Sequence, residues 1–150
     1  MEKDIQNKHQ YFYAVGISYK KADAEMRGKF SIDANAQKAL LVQAKSENIE
    51  SLLITSTCNR TEIFGFAEHP YQLIKLICQY STGTAEEFQN VGFVYKNQEA
   101  INHFFKVGTG LDSQILGDFE IISQIKHAYN ESKSLGLVNT YVDRLVSSVI

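Results

Sequence analysis

Seven consecutive residues in the first half of the chain combine a thiol with hydroxyl, amide and guanidinium groups, in the order Ser56-Thr57-Cys58-Asn59-Arg60-Thr61-Glu62. Apolar runs at 52–54 and 63–66 flank them, which predicts two strands joined by a polar turn. A cysteine acts as a nucleophile through its thiolate, and a nearby cation favours the thiolate. Arg60 keeps its charge, so it would stabilise a Cys58 thiolate or bind a substrate carboxylate through two hydrogen bonds. Composition alone fits an inert cysteine in a loop equally well.

Length and composition restrict the class of protein. The 150 residues fit one domain with a buried core, and the formal net charge of −2 is not that of a basic nucleic-acid-binding module. No apolar run approaches membrane-spanning length and the N-terminus has no signal-peptide pattern, so no membrane association is expected. The two cysteines, Cys58 and Cys78, lack paired spacing, which favours a reducing cytoplasm. No Cys, His or carboxylate pair has ligand spacing, so no metal site is expected.

The first hundred residues predict an alternation of strands and helices that positions this turn. Residues 1–10 are polar and are expected to form a frayed leader, and residues 11–17 predict a strand. Residues 20–29 lack a clear period and are predicted to be a loop, with Ser31 or Asp33 capping a helix over 34–46. Pro70 suits the start of a second helix, and a fourth strand follows at 91–95. The order βαββαβ predicts an α+β fold with a ferredoxin-like antiparallel sheet and two helices on one face.

The last third of the chain predicts helices alone. Asn97 would cap a helix that ends near residues 108–110. Apolar residues at helical spacing from Leu111 predict a longer helix that closes near Gly136, and a last helix follows from Tyr141. The ferredoxin-like sheet is therefore expected to precede a helical C-terminal segment. No GxGxxG pattern follows a strand, so the sequence offers no dinucleotide-binding site.

Four segments of the chain resemble sequence blocks of glutamyl-tRNA reductase, the enzyme that opens the C5 route to tetrapyrroles. The two specific matches are the heptapeptide from Ser56 to Glu62 and the block Gly110-Leu111-Asp112-Ser113-Gln114-Ile115-Leu116-Gly117. The residues from Gly16 to Lys20 and from Ala100 to Val107 resemble two further blocks in the expected order. Residues 1–150 are thus similar to the N-terminal catalytic domain of that family. The resemblance implies that residues 139–150 begin a connecting helix, and that NADPH-binding and dimerisation domains are absent from this fragment.

The resemblance also implies a two-step reaction and a set of partners. Cys58 would attack the ester carbonyl of glutamyl-tRNA, and hydride from NADPH would reduce the resulting thioester to glutamate-1-semialdehyde. His103 matches a histidine placed near the reactive acyl group, as a base or a polarising donor. NADPH would be bound by a domain missing from this fragment, which is expected to lack reductase activity and to retain at most esterase activity. The implied partners are glutamyl-tRNA, a second copy in a full-length homodimer, and glutamate-1-semialdehyde aminomutase.

The substrate-binding residues that the resemblance implies are Thr57, Asn59, Arg60, Ser113, Asp118, Phe119, Glu120 and Gln124. Three of them, Asp118-Phe119-Glu120, stand where the family has Glu-Pro-Gln. Glu120 in place of an amide adds a negative charge, and we expect it to turn away from the side-chain carboxylate of bound glutamate because like charges repel. Helical periodicity gives a different picture of His103, which points away from the apolar residues of its helix as an exposed histidine does.

A second function class stays open on the sequence: a non-catalytic ferredoxin-like domain that binds an amino acid or a partner protein. The βαββαβ order occurs in many such modules, and the substitutions after Gly117 also favour it. The intact Cys58-Asn59-Arg60 turn favours the enzyme. A thiol reagent that modifies Cys58 much faster than Cys78 near neutral pH would support the enzyme, and equal slow rates would support the binding module.

Overall fold

The computed structural model describes residues 9–112 and 120–150 of the chain. Four strands form one sheet in the order β2-β3-β1-β4, and every neighbouring pair is antiparallel. The strands are β1 (Tyr11–Ser18), β2 (Leu52–Ser56), β3 (Arg60–Ala67) and β4 (Phe93–Lys96). The helices of the described residues are α1 (Ala24–Lys29), α2 (Ala34–Ser46), α3 (Pro70–Gln79), α4 (Ala85–Val91), α5 (Gln98–Gly108), α6 (Glu120–Ser134) and α7 (Thr140–Val149).

Each face of the sheet has its own apolar core. On the first face α2, α3 and α4 pack over a core that includes Leu40, Leu73 and Phe88. On the second face α5, α6 and α7 pack over a core that includes Phe104, Ile125 and Val146. The predicted α+β fold with a ferredoxin-like antiparallel sheet is confirmed. The helices that follow Asn97 cover the face that the earlier helices leave open.

The central strand β1 shows why its sequence is apolar at nearly every position. Tyr13, Val15 and Ile17 pack in the first core. Phe12 and Ala14 pack in the second core. Successive side chains of a strand point to opposite faces, so a strand that is covered on both faces has no side left for polar residues.

Two short helices lie where the sequence predicted none. The loop predicted over 20–29 is wrong, because these residues contain α1, capped by an Asp23 carboxylate that accepts a hydrogen bond from Met26 N at 2.8 Å. None of the six residues of α1 is buried, so no apolar period marked it as a helix. The second, α4, begins with a capping box formed by Thr84 and Glu87. Phe88 is its one buried residue, too little for a periodic pattern.

The C-terminal helices lie close to their predicted positions, except that Leu111 and Asp112, predicted to begin the long helix, lie in a turn. Asn97 precedes α5, but with a φ of 52° and no capping bond from its side chain to the described residues. Gly136 follows α6 with a φ of 71°, a left-handed conformation that favours glycine after a helix. Residues 1–8 of the predicted leader and residues 113–119 of the predicted long helix lie outside the described residues. Of the helices described, none is long and apolar enough to cross a membrane.

Candidate active site

Cys58 is exposed in a tight turn between β2 and β3. Thr57 N donates to the carbonyl oxygen of Arg60 at 2.8 Å and closes the turn. The Thr57 hydroxyl oxygen accepts a hydrogen bond from Asn59 N at 3.2 Å, which satisfies a backbone donor within the turn. From outside, Tyr19 N donates to the carbonyl oxygen of Asn59 at 2.9 Å. The thiol is therefore exposed on a turn whose backbone is fixed by local bonds.

A cavity of about 220 Å³ lies against this turn. The described residues that line it are Thr57, Cys58, Asn59, Arg60, Glu120, Ile121 and Gln124. The first turns of α6 are thus brought against the β2–β3 turn, although the two are far apart in sequence. The cavity collects most of the predicted substrate-binding residues around Cys58. The other three predicted residues, Ser113, Asp118 and Phe119, lie outside the described residues.

The guanidinium of Arg60 is buried beside two carboxylates. Its Nη1 donates to Glu62 Oε1 at 2.8 Å and to Asp112 Oδ2 at 3.0 Å, and its Nη2 donates to the carbonyl oxygen of Asp112. Burial disfavours its charged form, but the adjacent carboxylates outweigh that effect, and the pKa of Arg60 is raised above its usual value. Arg60 is therefore a fixed cation whose charge is already balanced inside the protein.

Asp112 extends this cluster to the surface. Its side chain is 4% exposed and accepts a hydrogen bond from Lys20 Nζ, while the Lys20 side chain is 55% exposed. Burial would raise the pKa of Asp112, but the hydrogen bonds from Lys20 and Arg60 more than offset this, and the pKa is lowered. The bond to Asp112 in turn raises the pKa of Lys20. The block near Gly16 and the block near Gly110 thus meet at one ion pair.

His103 lies at the other end of the same cluster. Its Nε2 is 2.5 Å from Glu62 Oε2, and because a carboxylate only accepts hydrogen bonds, Nε2 is the donor. The ring lies 5.9 Å from Phe64, 4.8 Å from Phe93 and 5.0 Å from Tyr95, measured between ring centroids. His103 is buried, so the exposed position indicated by helical periodicity is wrong. Among the described residues that line the cavity His103 is absent, and Glu62 and Arg60 connect it to the turn.

The absence of a side chain at Gly16 leaves space for Glu62 on the neighbouring strand. Gly16 pairs with Glu62 in the sheet, and a Cβ atom at position 16 would lie 2.2 Å from the carbonyl oxygen of Thr61 and 3.0 Å from Glu62 Cγ. Only a residue without a side chain fits there without displacing the neighbouring strand. Gly16 is thus part of the support of the buried charge cluster.

Sequence reasoning did not assign Lys20, Glu62 or Asp112 to the site, although all three lie in the matched blocks. A signal for Glu62 was present, because residues two apart in a strand share a face and Arg60 and Glu62 are both charged within a largely apolar strand. Asp112 carried no such signal. Its meeting with Arg60 depends on how α5 ends against the sheet.

The second cysteine, Cys78, is not among the described residues that line the cavity. Cys78 is half-buried against the first core, and burial raises the pKa of its thiol. Within the ranges 9–112 and 120–150, no group of three or more His, Cys, Asp or Glu side chains is arranged to hold a metal ion.

Comparison with known proteins identifies the family. Residues 15–150 match the protein family described as "Glutamyl-tRNAGlu reductase, N-terminal domain". The chain belongs to this family. A glutamyl-tRNA reductase of Flavobacterium psychrophilum is 69% identical over 150 residues, which are 100% of this chain and 36% of that protein. A "Glutamyl-tRNA reductase 2" of Flavobacterium johnsoniae is 70% identical over 139 residues, 93% of this chain and 32% of that protein.

The fold agrees with a solved glutamyl-tRNA reductase. The protein from Methanopyrus kandleri aligns with a TM-score of 0.75 at 24% identity, over 92% of this chain and 32% of that one. The chain spans about a third of the length of these glutamyl-tRNA reductases. The resemblance noted in the sequence is thereby confirmed at the level of the N-terminal domain, and the roles of individual site residues stay predictions.

Proposed function

We propose that this chain is the catalytic domain of a glutamyl-tRNA reductase and that Cys58 is its nucleophile. The observation that supports the proposal most directly is the cavity at Cys58. It brings the exposed thiol together with Asn59 from the same turn and with Glu120 and Gln124 from α6. All of these residues are among those that the resemblance implies for the site.

The proposed step of this chain is transfer of the glutamyl group from tRNA to sulfur. The Cys58 thiolate attacks the carbonyl carbon of the ester, the carbon–sulfur bond forms, and the bond to the ribose oxygen breaks as that oxygen takes up a proton. A thioester is more readily reduced than a carboxylate, and covalent capture divides one difficult step into two easier ones. The thioester is also open to water, so in the absence of a reductant it hydrolyses.

Reduction of that thioester to glutamate-1-semialdehyde, in the C5 route to tetrapyrroles, needs the hydride that NADPH supplies. The described residues do not fit this cofactor. Dinucleotide-binding folds have parallel strands and a glycine-rich turn between a strand and the following helix, and the described sheet has neither feature. We therefore assign NADPH to a separate domain of a longer protein. Homodimer formation and transfer of the product to glutamate-1-semialdehyde aminomutase are proposed for that longer protein as well.

Arg60 and His103 have proposed roles that the buried cluster modifies. The bonds of Arg60 to Glu62 and Asp112 use three of its five N–H groups and balance its charge. Its proposed hold on a substrate carboxylate therefore depends on directed hydrogen bonds from the remaining N–H groups more than on net charge. His103 is proposed to act at the acyl carbonyl, either through Nδ1 or by exchanging the bond of Nε2 to Glu62 for one to substrate.

Acid-quenched mass spectrometry tests the proposal. With glutamyl-tRNA in excess, we expect a glutamyl group on Cys58, slow release of glutamate, and no aldehyde when NADPH is added. Cys58→Ser should abolish the adduct, because a neutral hydroxyl is a far poorer nucleophile without a strong base beside it. Cys78→Ser serves as the matched control and should keep it. Ester hydrolysis that continues unchanged in Cys58→Ser would overturn the covalent mechanism.

His103 is tested in the same assay. His103→Ala should slow turnover of the acyl group while Cys58 keeps its reactivity towards a small alkylating reagent. Loss of alkylation together with turnover would show instead that the variant disturbs the turn.

A further inference from the structure

Arg27 reaches the turn of Cys58 from α1. Its Nε donates to the carbonyl oxygen of Cys58 at 3.0 Å, and its Nη1 donates to the carbonyl oxygen of Ala22 at 2.7 Å. One half-buried guanidinium thus joins the peptide that carries the thiol to the segment that follows β1. Both acceptors are backbone oxygens, so these two hydrogen bonds of Arg27 join two segments of the main chain and do not pair it with another side chain.

The bond to Cys58 completes the fixation of the turn. Thr57 N is bonded to Arg60 and the carbonyl oxygen of Asn59 is bonded to Tyr19 N, so both ends of the turn are held. The carbonyl oxygen of Cys58 lies between these two ends, and it accepts a hydrogen bond from the guanidinium of Arg27. The N–H of the same peptide unit, Asn59 N, donates to the Thr57 hydroxyl oxygen at 3.2 Å, so without Arg27 this peptide would keep one longer hydrogen bond and the backbone of Cys58 would be held less firmly.

We propose that Arg27 is a positioning residue for the Cys58 nucleophile. By holding the peptide that follows Cys58, it keeps the sulfur directed at the cavity without itself touching the substrate. The inference rests on the proposed function, because it needs Cys58 to be the acylated residue. A displacement of about 1 Å at a reacting group lowers a rate by about 100-fold, so loss of this bond is expected to act on the acylation rate.

The geometry of the bonds makes Arg27 hard to replace. The planar fork of a guanidinium directs Nε and Nη1 to two acceptors at fixed angles, whereas the ammonium of lysine is a compact charge on a flexible stem. Arg27→Lys therefore keeps the charge near the turn and loses the fork. An electrostatic role for Arg27 and a positioning role consequently predict opposite results for this variant.

Single-turnover acylation by glutamyl-tRNA tests the proposal. At saturating substrate, Arg27→Ala and Arg27→Lys should both form the Cys58 thioester about 100-fold more slowly, with half-saturation unchanged within about threefold. Ethylguanidinium added at non-denaturing concentration should restore part of the rate of Arg27→Ala. Lys21→Ala, which removes an exposed positive charge just before Ala22, and Arg144→Ala on α7 are the matched controls and should acylate normally.

Two companion measurements separate positioning from other effects. Urea unfolding shows whether Arg27→Ala keeps the fold, and the pH profile of Cys58 alkylation shows whether the thiolate is affected. A profile midpoint that moves enough to account for the slower acylation would overturn positioning in favour of an electrostatic role. Acylation of Arg27→Ala within about twofold of the unmodified chain would overturn the inference and leave the proposed function intact. No thioester on Cys58 in the unmodified chain would overturn both.

Discussion

Replacement of Glu62 by glutamine is the sharpest test of the buried charge cluster. The side chain of Glu62 is 0% exposed and bonds Arg60 Nη1 at 2.8 Å and His103 Nε2 at 2.5 Å. Glutamine has nearly the same shape but only one acceptor oxygen, and its NH₂ group must face one of two donors. Arg60 keeps Asp112 as a partner, so the cluster loses one of its two internal anions.

The expected cost follows from these contacts. Hydrogen bonds to charged groups contribute about 1.5–3 kcal/mol each, and breaking a buried ion pair costs about 3–5 kcal/mol. Because glutamine keeps one acceptor and Arg60 keeps one carboxylate, we expect Glu62→Gln to lose about 3 kcal/mol, at the lower end of that range. For a chain of this size, that loss lowers the melting temperature by about 6–12 °C.

Urea unfolding followed by circular dichroism measures this loss. Glu87→Gln is the matched control, because Glu87 pairs with Lys29 at the surface and glutamine keeps the capping box with Thr84. Its unfolding midpoint should hardly change, since exposed ion pairs contribute little. A loss below about 1 kcal/mol in Glu62→Gln would refute the reasoning, because it is less than one charged hydrogen bond contributes.

Three further outcomes are expected. Gly16→Ala should lower the free energy of unfolding by about 1–3 kcal/mol, because the added methyl group overpacks against β3. Gly28→Ala has nothing within 4 Å of its added Cβ and should raise the free energy of unfolding by about 0.5–1 kcal/mol. Equal urea midpoints for the two variants would contradict the close contact of Gly16 with β3. The lowered pKa of Asp112 means that its stabilisation is complete above the ordinary pKa of an aspartate and is lost as pH falls through the lower folded value, so Asp112→Asn should flatten the acid side of the stability profile between those two values. Near neutral pH a thiol reagent should modify exposed Cys58 faster than Cys78, whose pKa is raised by burial, and peptide mapping that finds equal slow rates would favour a non-catalytic binding domain.

The sheet was predictable from the sequence because each strand is a short apolar run and polar or turn-forming residues mark the connections between the strands. Residues 11–17 alternate between two buried faces, and the polar turn at Cys58 separates two such runs closely enough to form a hairpin. The helices α1 and α4 were not predictable in the same way. A helix of six or seven residues that buries one side chain or none leaves no periodic trace.

Which residues belong to the site was more predictable than the directions in which their side chains point. The resemblance of residues 56–62 to the family's heptapeptide identified the turn, but the side of the sheet to which Arg60 points depends on which helices cover that side. His103 shows the same limit. A helical projection counts only neighbours on the same helix, and it could not include the rings of Phe64, Phe93 and Tyr95, which come from two strands and enclose the imidazole.

The strand order has a consequence for how the chain behaves in solution. The outer strands are β2 and β4, and exposed strand edges are where chains join into aggregates. At one edge β4 has only four residues, and the Lys96 ammonium lies 4.1 Å from the centre of the Tyr11 ring. At the other edge the carbonyl oxygen of Leu137 accepts a hydrogen bond from Leu52 N at 2.9 Å, so the segment after α6 occupies the start of β2. One edge strand is short and carries a lysine, and the other has part of its backbone already hydrogen-bonded, so neither edge pairs readily with the strand of another molecule. We therefore expect the protein to resist edge-to-edge association when it is concentrated.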